Sequence, residues 1–145
     1  NMIGLCKTIL RIKPEDRYAL FELGTNHFGE IASLADVVDP EIGIILNIGP
    51  SHLEYFQDED GVFQEKIALF NRPLALRLYP GDDSRFQYFA KQGLSIGFNE
   101  NCDYRITQHQ ILDNSQSFYL NEDLWIIPYG APYFALNAAL LLCYA

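Results

Sequence analysis

Two short segments constrain this chain more than any other: Phe21–Ile31, FELGTNHFGEI, and Asn47–Phe56, NIGPSHLEYF. The first grows out of an apolar run, Tyr18–Leu23, that reads as a buried strand and sets the carboxylate of Glu22 at the strand end. A glycine-bearing turn then opens into Gly29–Val38. There Ile31, Leu34, Ala35 and Val38 recur at helical spacing, and Glu30 falls in the first turn, where negative charge suits the helix dipole. The second segment ends Ile42–Ile48, apolar almost throughout as a central parallel strand should be, and puts His52 in the next turn. Polar groups delivered at the carboxyl ends of strands are how an open α/β sheet assembles a site.

The rest of the chain continues the alternation. Lys7–Ile12 alternates apolar and basic residues and is expected as an edge strand; Asp39-Pro40 stops the first helix. Asp58-Glu59-Asp60 reads as a solvated start to a helix running from about Glu59 to Phe70. A strand is expected at Leu74–Tyr79 and a turn at Pro80-Gly81-Asp82-Asp83. Ser84 can cap a helix to about Gln92, closed by Gly93, before a strand at Leu94–Phe98. This rhythm argues for a parallel, doubly wound sheet. Asp103–Leu112, Ser117–Leu120 and Leu124–Ile127 then read as antiparallel hairpins, and a last helix begins near Pro132. The expected class is α/β: an open, mostly parallel sheet flanked by helices, with a small antiparallel meander at residues 103–128.

A chain of 145 residues, 49% hydrophobic, can bury a sizeable core, and a net charge of −9 with no basic stripe argues against nucleic acid as a partner. Cys6, Cys102 and Cys143 are odd in number and widely spaced, without zinc-site spacing. They read as reduced thiols of a cytoplasmic protein. No signal peptide is expected, and the apolar stretch Tyr133–Ala145 is too short to span a bilayer. The chain starts at Asn1 and stops inside a helix-forming run without a stop signal, which reads as a piece of a longer protein.

FELGTNHFGEI, NIGPSHLEYF and the helix carrying Lys66 together resemble the central domain of the Mur ligases. Within that family the GTNHFGEI form is similar to that of the members that add D-alanyl-D-alanine to UDP-MurNAc-tripeptide in peptidoglycan precursor synthesis. The likeness runs from Asn1 to about Ala68 and returns faintly at Gly130–Ala139. It implies amide-bond formation driven by ATP: a carboxylate is phosphorylated to an acyl phosphate, which an amine then attacks. It also implies magnesium, which neutralises phosphate charge during transfer. By resemblance, Glu22 and His52 match magnesium-binding residues, and Lys66, fourteen residues after His52, matches a lysine carbamylated by carbon dioxide. A carbamate presents two anionic oxygens where a free ammonium would repel the cation. The plainer alternatives are that Glu22 caps its turn, that His52 is a solvated turn histidine, and that Lys66 is a surface lysine paired with nearby acids. Asn137 matches an asparagine lying near the adenine. Asn26, His27 and Glu30 belong to the motif without an assigned chemistry, and His109 reads as structural.

The sequence also departs from the family. Ala68 stands where an acid is frequent, Pro132-Tyr133 replace a His-Asn pair with the spacing one residue longer, and the turn at Pro80–Asp83 lacks the family's asparagine. No G-x-x-x-x-G-K-[ST] loop occurs; Gly4-Leu5-Cys6-Lys7-Thr8 lacks the glycines of a phosphate cradle. The expectation is therefore a partial central domain at residues 1–145, without the ATP loop, the UDP-sugar domain or the carboxyl-terminal domain, and inactive in ligation alone. Two alternatives stay open: another ATP-dependent amide ligase of the folate or cyanophycin type, and a non-catalytic binding module that keeps the fold.

Overall fold

The computed structural model describes residues 2–128 and 131–143. They divide into two compact units, Asn1–Glu41 with Ile48–Leu74, and Ile42–Asn47 with Ala75–Ala145.

The first unit is helical. Helix α1 spans Met2–Ile9 where an edge strand was expected from Lys7. Met2, Leu5, Cys6 and Ile9 follow i, i+3, i+4, i+7, and Leu5 on that stripe is buried, so the helical period overrides the short alternation. Tyr18–Leu23, expected as a buried strand, belongs to no strand; Tyr18 and Leu20 are 76% and 78% exposed. Apolar content alone does not make a strand, because each strand needs a neighbour for its backbone hydrogen bonds. Helix α2, Glu30–Val38, buries Ile31, Leu34 and Ala35 and ends at Asp39, whose N–H donates to the Ala35 carbonyl at 2.8 Å. A single turn of helix, α3, spans Leu53–Phe56. Helix α4, Glu59–Ile67, is capped by Asp58, whose Oδ1 accepts from Gly61 N–H at 2.8 Å, and continues as a 3-10 turn over Ala68–Asn71. Arg72 ties the end of this stretch to Asp36 and Asp39 of the α2 terminus.

The second unit is one six-stranded sheet: β1 Ile42–Ile44, β2 Leu76–Pro80, β3 Leu94–Gly97, β4 Tyr104–Leu112, β5 Ser115–Leu120 and β6 Asp123–Pro128. Strands β1 to β4 pair in parallel, with Ile44 beside Leu78 and Ile96 beside Tyr104; β4 to β6 are antiparallel, with Ile106 beside Leu120. The α/β class with a mostly parallel sheet and a terminal meander is as expected. The doubly wound order is not: the strands follow one another from β1 to β6, so the described sheet has no reversal of order and no switch point.

Between β2 and β3 a 3-10 helix, Ser84–Phe89, replaces the longer helix expected to Gln92, and Asp83 rather than Ser84 caps it by accepting from Arg85 N–H at 3.0 Å. The β3–β4 connection is short for a parallel pair. Asp82 secures it by accepting from Phe98 and Asn99 N–H, and Ser95 N–H donates to Asp103 at 2.8 Å. Helix α5, Tyr133–Leu142, packs Ala135, Ala139 and Leu140 against Leu78, Ile96, Ile106 and Phe118 of the sheet. No described helix is long and apolar enough to cross a membrane. The three cysteines are free thiols, with burial pushing Cys143 up to about 11.

Candidate active site

The motif loop Gly24–Gly29 is fixed from two sides. From its own helix, Glu30 Oε2 accepts from the N–H of Asn26 at 2.6 Å and of His27 at 3.1 Å. These bonds, Asn26's above all, hold the Glu30 carboxyl below the usual range. From α4, Glu65 reaches across: its Oε2 accepts from Gly29 N–H at 2.7 Å and its Oε1 from Ile31 N–H at 2.7 Å. Thr25 Oγ1 stands between the two acids, 3.2 Å from Glu30 Oε2 and 3.1 Å from Glu65 Oε1, and 3.0 Å from the His27 carbonyl. A hydroxyl has one proton, so it serves one of these acceptors at a time.

Gly29 has φ +88, a conformation glycine adopts without penalty, and gives α2 no side-chain cap. The amides at the start of α2 are thus capped by a carboxylate from another helix. Sequence reasoning missed Glu65, which is 3% exposed. The sequence of α4 offers little signal for it: Glu65 shares the buried side of a mostly polar helix with Val62 and Phe63.

The loop forms one wall of a concavity of about 750 Å³ lined by Gly24, Thr25, Asn26, Phe28, Glu30 and His52. His27 leans on Tyr55, ring centroids 4.2 Å apart, and lies 3.7 Å from Glu30. His52 has φ 50, uncommon for a non-glycine residue, and its carbonyl starts α3 by accepting from Tyr55 N–H at 2.9 Å. Glu22 is exposed rather than backed by a buried strand, and lines a neighbouring concavity of about 290 Å³ with Leu5, Thr8 and Leu23; Leu34 lines both. Lys66 follows Glu65 in α4, and burial lowers its pKa, which raises the fraction of neutral amine able to react with carbon dioxide. Among the described residues no three His, Cys, Asp or Glu side chains gather as a metal site. Asn137 lies in α5 of the other unit; its Oδ1 is buried without a partner among the described residues. Gly130 lies outside the described residues.

Residues 1–131 match the Mur ligase middle domain. The chain belongs to this family.

Relatives of the Mur ligase middle domain seen here include the UDP-N-acetylmuramoyl-tripeptide–D-alanyl-D-alanine ligase of Escherichia coli, 42% identical over 71 residues, which are 49% of this chain and 16% of that protein. The enzyme of the same name from Bacillus subtilis is 26% identical over 143 residues, 95% of this chain and 31% of that protein. Among solved structures, a crystal structure of MurF from Acinetobacter baumannii superposes with a TM-score of 0.85 at 28% identity, covering 99% of this chain and 34% of that one. MurF ligase from Thermotoga maritima in complex with ADP shares the fold at 22% identity and a TM-score of 0.71, over 85% of this chain and 31% of that one. The chain therefore spans about a third of the length of the relatives it matches along most of its own.

Proposed function

We propose that this chain is the middle-domain part of a cytoplasmic ATP-dependent ligase that joins D-alanyl-D-alanine to UDP-MurNAc-tripeptide in peptidoglycan precursor synthesis. The carboxylate of the tripeptide attacks the terminal phosphorus of ATP, giving an acyl phosphate and ADP. The amine of D-alanyl-D-alanine then attacks the acyl carbon, inorganic phosphate leaves, and the amine's surplus proton passes to solvent.

Glu22, His52 and carbamylated Lys66 would hold magnesium. The donor set suits a hard cation once the carbamate adds its oxygens to the Glu22 carboxylate, while the His52 nitrogen is the less usual donor. When bound, magnesium supplies charge neutralisation at the phosphoryl group in transfer. The chain's own part is to present Glu22 and His52 in adjoining concavities and to keep the Lys66 amine partly out of water. The buried Asn137 Oδ1 is an acceptor suited to an adenine amino group.

The observation that carries this reading is the match of residues 1–131, which contain Glu22, His52 and Lys66, to the Mur ligase middle domain, together with relatives named for this reaction. The full-length protein, given both substrates, ATP and magnesium, is expected to yield the ligated product with one ADP for each amide formed. A folded full-length protein that forms ADP without product, or neither, would contradict it.

A further inference from the structure

We propose that Glu65 is a positioning residue: it clamps the motif loop to the helix that carries Lys66, and so fixes the wall of the larger concavity relative to the lysine. This deepens the ligase reading and rests on it.

A carboxylate 3% exposed inside a small helical unit is costly unless its oxygens are satisfied. Here both are. Oε2 takes Gly29 N–H, and Oε1 takes Ile31 N–H and faces the Thr25 hydroxyl. The bonds cross 36, 34 and 40 residues of sequence. They bind the two flanks of the loop, Thr25 and Gly29–Ile31, to one point on α4. That point is adjacent in sequence to Lys66. The segment between the flanks, Asn26–Phe28, is otherwise tied by Glu30 and by His27 on Tyr55. Glu30 belongs to α2 and moves with the loop; Glu65 alone of the two acids refers it to another helix.

The acceptor requirement is specific. Glutamine has the shape of glutamate, but one of its two ends is a donor. In Glu65→Gln the amide NH2 would face either the Gly29 or the Ile31 N–H, so one bond becomes a donor–donor conflict while the packing volume is kept. Displacements of about 1 Å at a catalytic wall can cost on the order of 100-fold in rate. A purely structural acid would lower the amount of folded enzyme and leave the turnover of what remains unchanged.

The test uses the full-length enzyme and two readouts. In native-state hydrogen exchange the Gly29 and Ile31 amides are expected to be protected in the wild type and to lose protection in Glu65→Gln while the α2 interior keeps it. Unprotected wild-type amides would overturn the clamp. In steady-state ligation, Glu65→Gln is expected to lower kcat about 100-fold with the KM of UDP-MurNAc-tripeptide near wild type. An unchanged kcat per folded enzyme would overturn the positioning role. Should Glu65→Gln fail to fold, Thr25→Val, which keeps volume and deletes the hydroxyl facing Glu65, carries the kinetic arm, with kcat expected to fall and an unchanged value counting against the proposal. A wild type without ligase activity sinks the ligase reading instead, and the exchange arm still decides whether Glu65 is the clamp.

Discussion

Gln116 Oε1 lies 2.6 Å from His109 Nε2. Gln116 is fully buried in β5, and its Nε2 donates to the Ala131 carbonyl at 2.9 Å, so Oε1 is its remaining acceptor and His109 Nε2 must carry a proton. The pair ties the β4–β5 hairpin to the segment entering α5, which gives His109 the structural place expected of it. Gln116→Leu keeps much of the bulk but strips the Ala131 carbonyl and His109 of their partner. It is expected to lower stability by about 1–3 kcal/mol in chemical denaturation; a wild-type midpoint would contradict the tie.

Gly61 of α4 lies hard against Phe56, the last residue of α3. A Cβ built on it would stand 2.0 Å from the Phe56 carbonyl oxygen, a backbone atom that cannot rotate aside. Gly61→Ala should gain helix propensity and still lose stability, by about 1–3 kcal/mol, because the helices must part. A stabilised variant would show that α3 is free to move.

Asp83 and Arg85 give a pH signature. The Arg85 side chain, bonded to Asp83 at 2.7 Å, holds the Asp83 carboxyl below its ordinary value. A carboxylate depressed in the folded state contributes stability that is full above its unfolded pKa, about 3.9, and is lost as pH falls through the lower folded value. Wild type should therefore exceed Asp83→Asn most at neutral pH, and the gap should close in acid. A gap that widens in acid would reverse the assignment.

Asn137 separates ligand from scaffold. Its buried Oδ1 lacks a partner among the described residues, so Asn137→Leu should leave thermal stability unchanged or raise it. If the oxygen receives an adenine amino group, the same variant raises the KM of ATP in the full-length enzyme. A loss of stability with an unchanged KM would assign Asn137 to the core.

The helices that matter for the site were legible because their signals are local. Ile31, Leu34 and Ala35 repeat at helical spacing, and the acidic run Asp58-Glu59-Asp60 marks the start of α4. Helix α1 was hidden by six residues of alternation at Lys7–Ile12 that coexist with a helical stripe beginning at Met2. Tyr18–Leu23 was misread because strand formation depends on a partner, which no property of the run itself reports. Glu22, His52 and Lys66 came from the wording of the motifs. Glu65 could not, since its bonds go to backbone amides more than thirty residues away, and amides have no sequence identity.

The most direct test of the central claim is a mass measurement on the full-length protein incubated with UDP-MurNAc-tripeptide, D-alanyl-D-alanine, ATP and magnesium, run beside Lys66→Ala. The account predicts a product heavier by one D-alanyl-D-alanine less water, matched by ADP and phosphate, and lost in Lys66→Ala although that variant remains folded. Undiminished product from Lys66→Ala would remove the carbamate from the site, and no product from the folded wild type would contradict the ligase reading itself.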